Sequence, residues 1–248
     1  MNKGPFIIRR LGRTLLWRHP VLYRSFGLMR GRGDCFDTNF DVWIGGFPRS
    51  ANTFTTEAFR LANPSARIAS HPHIPPVIIR WLRIGKPGMF LIRAPEDAVV
   101  SWAIYWNGYL EESLDYYLDY HQALRPYAVE MFIVSFEVTT TQLGREIERF
   151  NRKFGTSYAA FEHDGELVSD CFSRIEETSR VARNGGNVAV NELTVCRPSP
   201  YRAPVKTAMV QQLHKSPVLR RKLERANELY RAFVPVLASA SNQRPSEP

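Results

Sequence analysis

The sequence predicts a three-layer α/β fold, with a central and mainly parallel sheet flanked by helices, and three observations point there. Short apolar runs of strand length alternate with longer helical segments, the order of βαβ units whose parallel strands are covered on both faces. The chain has 248 residues, 44% hydrophobic and 23% charged, enough to bury the core of one large domain without metal or disulfide staples. The residues least expected on structural grounds, arginines and histidines, fall just after the strand ends, where such sheets bind ligands.

Asp41-Val42-Trp43-Ile44 is the first strong strand, followed at once by Gly45-Gly46-Phe47-Pro48. A helix is expected from Asn52 or Thr53 to Leu61, stopped by Asn63-Pro64. Arg67–Ser70 reads as a short second strand, Pro76 opens a helix through Arg83, and Gly85-Lys86-Pro87-Gly88 is a turn. Met89–Ile92 has the length and composition of a buried parallel strand. Pro95 starts the next helix, with Glu96 and Asp97 in the first turn, where carboxylates complement the helix dipole. That helix reaches Trp106, and Trp102, Tyr105 and Trp106, at helical spacing, read as core. Further on come a helix over 111–124, a strand over 131–135 and a helix over 142–154. Residues 157–203 are loop-rich and stay unassigned, and helices are expected over 206–214 and 217–237.

These elements make residues 41–240 a single domain, with 241–248 as a flexible tail. Residues 1–40 form a basic segment in which Arg9, Arg10, Arg13 and Arg18 interleave with Ile7, Ile8, Leu11, Leu15 and Trp17. Such a segment either lies on a membrane surface or packs its apolar face on the domain. No run of about 18 apolar residues is present for a spanning helix, and the first residues lack the pattern of a signal peptide. A cytoplasmic location, with or without peripheral membrane association, is expected. Cys35, Cys171 and Cys196 are too few and too scattered for a disulfide framework or a zinc site, so no metal is expected. The net charge of +9 attracts anions without choosing among nucleic acid, membrane, acidic polymer and nucleotide.

The loop Gly46-Phe47-Pro48-Arg49-Ser50-Ala51-Asn52-Thr53-Phe54 joins a strand to a helix N-terminus, where backbone N–H groups face an anion. Arg49 adds a fixed cation with fork geometry, and Ser50, Asn52 and Thr53 add donors. The same residues also suit an ordinary βα turn whose polar side chains cap the helix. No Gly-Lys-Ser/Thr occurs, so this is not the loop of the nucleoside-triphosphate hydrolases. A second junction, Ile92-Arg93-Ala94-Pro95-Glu96-Asp97 with Ser101 further on, can bring Arg93 and Ser101 to one anion near the helix start. Arg93 could instead pair with Asp97 to pin that helix.

Between them lies Ser70-His71-Pro72-His73-Ile74-Pro75. A histidine, whose ordinary pKa is near 6.5, suits general-base work at neutral pH.

Together these segments resemble the donor-binding motifs of sulfotransferases that use 3′-phosphoadenosine 5′-phosphosulfate (PAPS). The first loop resembles the family's Pro-Lys-Ser-Gly-Thr-Thr-Trp, with Pro48, Ser50 and Thr53 agreeing. Arg49 takes the lysine's place, Ala51 the glycine's, Asn52 the first threonine's, and Phe54 that of the tryptophan that stacks on adenine. The second junction resembles Arg-x-Pro-x-Asp-x-x-x-Ser, matched by Arg93, Pro95, Asp97 and Ser101. The resemblance spans roughly Val42 to Phe154. It implies a P-loop-like fold, donor binding by Arg49, Ser50, Ala51, Asn52, Thr53 and Phe54, and a grip on the 3′-phosphate by Arg93 and Ser101.

The family's Lys-Thr-His-Leu-Pro segment aligns on His73, with His71 in the lysine's place; the base is then His73, with His71 or a carboxylate as alternatives. Phe136 of Ser135-Phe136-Glu137 replaces a tyrosine near the adenine, and either Arg183 or Arg197 supplies a late contact to the 3′-phosphate. The implied activity is sulfuryl transfer from PAPS to a small-molecule or glycan acceptor, with His73 and Arg49 catalytic and no nucleic-acid partner. A P-loop-type phosphotransferase and a non-catalytic binder of anionic polymers remain as alternatives.

Overall fold

The computed structural model describes Trp17 and residues 38–70, 72–184 and 191–234, with the backbone alone for 181–184. It is an α/β structure with four parallel strands: β1 (Val42–Gly46), β2 (Ile68–Ser70), β3 (Gly88–Ile92) and β4 (Phe132–Ser135). The strand order is β2-β1-β3-β4. Among the described residues from β1 onward there are eight α-helices, in chain order α1 (Asn52–Ala62), α2 (Pro75–Arg83), α3 (Pro95–Trp106), α4 (Leu110–Leu124), α5 (Phe136–Phe154), α6 (Gly165–Asn184), α7 (Ala203–Lys215) and α8 (Pro217–Arg231).

Period-two alternation sorts the strand residues between two cores. Trp43, Phe90 and Ile92 point to a layer containing Trp81, Val99, Leu114, Tyr117, Tyr120 and Leu223, contributed by α2, α3, α4 and α8. Val42, Ile44, Met89 and Leu91 face the other layer, with Phe59 of α1, Ile147 and Phe150 of α5, and Cys171 and Ile175 of α6. Both faces of β1 and β3 are thus buried, and each large apolar side chain so placed contributes roughly 1.5–3 kcal/mol.

Two glycines set how closely the layers approach. A Cβ on Gly46 would lie 2.0 Å from the Leu91 carbonyl oxygen, and one on Gly45 would lie 2.3 Å from the Pro72 ring. The bare backbone of β1 therefore admits Pro72, which carries the next residue, His73, to the strand's carboxyl end.

The elements match the expected ones with four differences. The helix expected over 142–154 starts earlier, at Phe136, and Gln142 is a non-helical kink within it (φ −144°, ψ 33°). The unassigned stretch contains the 20-residue helix α6. The last helix ends at Arg231 and is followed by a turn at residues 232–233, while 235–237 of the expected span lie outside the described residues. The reading of Trp102, Tyr105 and Trp106 as core holds only for Trp102, which is partly buried against the core; Tyr105 is half-buried and Trp106 is 68% exposed. Trp17 is buried against Tyr116 and Tyr120; the rest of the basic N-terminal segment through residue 37 and the tail lie outside the described residues. Among the described residues no helix is long and apolar enough to cross a membrane.

Candidate active site

With β2 on one side of β1 and β3 on the other, the chain reverses its direction of winding between β1 and β3. The crevice beyond the carboxyl ends of those two strands is the general ligand site of such sheets. Gly46 pairs with Leu91, so the loop after β1 and the turn after β3 emerge side by side. Arg93 Nη1 donates to the Arg49 carbonyl oxygen at 2.9 Å.

The loop is conformationally unusual. Arg49 (φ 69°) and Ala51 (φ 67°) occupy the left-handed region, while Ser50 between them does not. Left-handed backbone costs a non-glycine residue of order 1 kcal/mol, and such residues cluster at ligand sites. Alternation of handedness also turns successive N–H groups into one concavity suited to an anion. Ala51 is the N-cap of α1 and supplies no side-chain cap, so the helix's first turn lacks the usual internal partner for its N–H groups.

The side chains of the loop divide into two kinds. Ser50 is fully buried and its Oγ has no hydrogen-bond partner. Asn52 Nδ2 donates to the Phe47 carbonyl at 2.9 Å and tightens the turn, while its Oδ1 stays without a partner. Thr53 is half-buried at the start of α1. Phe54 turns away from the loop. It is buried among Phe161, His163 and Phe172, with ring centroids 5.8–6.2 Å apart. The adenine-stacking role implied for Phe54 therefore does not fit its position. Its apolar bulk is held by the α6 layer, an element not expected from the sequence.

Arg49 reaches over the crevice. Its Nε donates to Ser101 Oγ at 3.1 Å, its Nη2 to the Val195 carbonyl at 3.1 Å, and its Nη1 to the Thr194 carbonyl at 3.4 Å and Cys196 Sγ at 3.1 Å. The guanidinium also sits 5.2 Å from the centre of the Tyr105 ring. Arg93 lies 3.9 Å from the centre of the Phe136 ring, and its Nε has no partner. Burial is the main reason its pKa is lowered; Asp97 opposes that and Arg49 reinforces it. Asp97 makes its ion pair with Lys206 at 2.6 Å, so the carboxylate that could have pinned Arg93 is engaged elsewhere.

A third arginine joins them that the sequence did not single out. Arg202 donates to the carbonyls of Val195 and Arg197, and its pKa is lowered by burial and then by the charges of Arg49, Arg197 and Arg93. Among the described residues, Arg49, Arg93 and Arg202 contact carbonyls, hydroxyl, thiol and rings but form no ion pair. Nothing in the spacing marks Arg202 off from Arg197, five residues earlier.

Of the two late arginines, Arg197 is held by Glu192 at 2.8 Å and by Glu176, whose hydrogen bonds raise its pKa. Its charge is neutralised inside the protein. The side chain of Arg183 lies outside the described residues, as does His71.

His73 sits on the other side of β1's end. Its Nδ1 is 2.9 Å from the Gly46 carbonyl. A carbonyl can only accept, so Nδ1 carries the proton and the basic lone pair falls on Nε2. The Tyr116 hydroxyl donates to the His73 carbonyl at 3.1 Å and fixes the backbone there. Among the described residues no three His, Cys, Asp or Glu side chains group as metal ligands would.

No protein-family model matches the chain, and no curated protein matches it in sequence. Among solved structures it is similar to the mouse sulfotransferase SULT7A1 complexed with PAP, at 12% identity and a TM-score of 0.42, over 82% of this chain and 95% of that one. At that distance, the functional reading rests on this chain's own geometry.

Proposed function

We propose that the protein is a sulfotransferase that moves a sulfuryl group from PAPS to an acceptor hydroxyl. The observation that carries this is the set of three guanidiniums, Arg49, Arg93 and Arg202, gathered at the carboxyl end of the sheet and, among the described residues, in no direct ion pair. A donor with a phosphosulfate at one end and a 3′-phosphate at the other supplies the missing negative charge. Bidentate, charge-assisted pairing with arginine is the usual way proteins hold such groups. The concave loop and the buried Ser50 hydroxyl fit the same ligand.

In the reaction, a bond forms between the acceptor oxygen and sulfur, and the bond from sulfur to the bridging oxygen breaks. His73 Nε2 takes the acceptor proton. Arg49 and the loop N–H groups stabilise the charge that develops on the departing phosphate oxygen of adenosine 3′,5′-bisphosphate (PAP). Phosphoryl transfer is the nearest template, a loose transition state served by positioning and electrostatics.

Titration with PAP, ATP and heparin oligosaccharide tests the reading. PAP is expected to bind at least tenfold more tightly than ATP. Equal affinity for the two nucleotides would favour a phosphotransferase, and heparin alone a polymer binder. With labelled PAPS, His73→Ala is expected to keep PAP affinity and lose turnover, whereas Arg49→Ala loses both.

A further inference from the structure

The C-terminal half of α3 carries a group of rings that runs from the core to the surface: Trp102 packs partly buried against the core, and Trp106 stands clear of it. Trp102 stacks on Tyr105 at 5.5 Å and on Trp106 at 5.7 Å, each at 17° between ring planes. Rings stacked in this way cover their facing sides and leave the outer face of the exposed end ring, Trp106, for a ligand. The surface is open: Trp106 is 68% exposed and Tyr109 just beyond it 59%. It is also fixed. A Cβ on Gly108 would lie 3.2 Å from Trp106 Cδ1, so the indole leans on bare backbone that follows the left-handed Asn107 (φ 49°).

The stack joins the active site at both ends. Tyr105 lies beneath the Arg49 guanidinium, and Ser101, next to Trp102, accepts from Arg49 Nε. Trp102 is 5.9 Å from Tyr116, whose hydroxyl holds the His73 backbone. The rings therefore border the space between the proposed leaving-group cation and the proposed base, where an acceptor must lie.

Building on the sulfotransferase reading, we infer that this surface binds the acceptor and that the acceptor is a glycan, with one pyranose face laid on the Trp102–Trp106 stack. A flat phenol has two apolar faces and needs an enclosed pocket to desolvate both. A pyranose has polar edges, and only its C–H face gains from leaving water, so one open aromatic surface is enough. The polarised C–H groups meet the negative faces of the rings, and the hydroxyls stay solvated. The net charge of +9 adds long-range attraction for acidic glycans over neutral ones.

The test compares heparosan and chondroitin oligosaccharides with 4-nitrophenol as acceptors for labelled PAPS. Transfer to an oligosaccharide is expected, with Trp106→Ala raising its KM about tenfold, the effect of losing one aromatic contact of roughly 1.4 kcal/mol. The rise falls on KM rather than kcat, Trp106→Phe recovers most of it, and PAP affinity is unchanged. A preference for 4-nitrophenol, or an unaltered KM in Trp106→Ala, would overturn the inference. Quenching of tryptophan fluorescence by the oligosaccharides, with no nucleotide present, gives a separate reading. Quenching that Trp106→Ala abolishes, in a protein that binds no PAP, would refute the donor assignment and keep the glycan surface. Absence of both quenching and transfer would refute the surface.

Discussion

Arg197 and the trio of Arg49, Arg93 and Arg202 lie within one small region, yet they solve the burial of a guanidinium in opposite ways. Arg197 is gripped by Glu192 and Glu176, and the pairing is mutual: hydrogen bonds from Arg197 hold the Glu192 carboxyl below its ordinary pKa. The trio has carbonyl oxygens and ring faces instead, which orient a cation but remove none of its charge. Arginine cannot shed its proton in a protein. A partly buried arginine without a counter-ion is therefore costly to the folded state, and a bound anion is the simplest relief. The contrast separates an arginine paired within the protein from arginines that, in the proposed function, meet a ligand.

The sharpest way to break this contrast is to remove one member of each kind. Arg93→Ala is expected to weaken PAP binding by 100-fold or more, in line with roughly 3 kcal/mol for a buried charged partner. Arg197→Ala should change PAP affinity by only a fewfold and lower the melting temperature, since Glu192 loses its ion-pair partner and Glu176 keeps only Arg180. Arg93→Met should hold or raise the melting temperature of the nucleotide-free protein, because a charge paired only when donor is present is gone. Calorimetric titration and thermal scans decide it; equal losses of PAP affinity at positions 93 and 197 would dissolve the distinction.

His121 shows what a buried base does when it can discharge. It is fully buried against Phe47, Tyr117 and Phe233, its Nδ1 meets the Tyr117 carbonyl at 2.9 Å, and burial lowers its pKa to about 4. In the unfolded chain the same group titrates near 6.5. Between those values only the unfolded state binds the proton, so stability falls as pH drops from about 6.5 to 4 and is level on either side. The loss across the window is roughly 3 kcal/mol. Urea melts at pH 7 and pH 5 should differ by roughly 2 kcal/mol, and His121→Phe should shrink the difference. The arginines have no such escape, and in the proposed function the donor's anionic groups offset their charge.

Much of this was legible in the sequence, for reasons that separate residue by residue. The strands stood out because both faces of β1 and β3 are buried, which leaves continuous apolar runs such as Met89-Phe90-Leu91-Ile92. Arg49, Arg93 and His73 stood out because each follows a strand, where local order fixes position. Helix α6 was missed although Leu167, Cys171 and Ile175 recur at helical spacing on its buried side; its mix of charged and hydroxyl residues masked the stripe. Phe54 was misjudged because a resemblance in a short segment says nothing of what packs behind it, and here Phe161 and Phe172 do. Arg202 was invisible for a similar reason. Its role depends on a fold-back over about 150 residues that brings the 194–202 stretch to Arg49, a distance no local pattern encodes.

Arg202 gives a milder test of the same contrast. It is half-buried at the rim, so Arg202→Gln is expected to cost PAP about tenfold in affinity, less than the more enclosed Arg93. Raising the salt concentration should weaken the wild type more steeply than the variant, because one cation fewer is screened. An affinity equal to wild type would leave Arg202 as a brace for the 194–197 stretch, whose carbonyls it holds.

The smallest expected effect concerns the loop that bears Arg49. Ala51 holds a left-handed conformation in which its Cβ is unfavourable and glycine is at ease, and it does so at the N-cap of α1. Ala51→Gly should therefore raise stability slightly, by no more than about 1 kcal/mol, since relief of strain is partly offset by a more flexible unfolded chain. PAP affinity should stay within about twofold, because the backbone donors keep their directions. A clear fall in affinity with unchanged stability would mean that the Ala51 methyl itself shapes the cradle, and that the loop's strain serves binding rather than being tolerated by it.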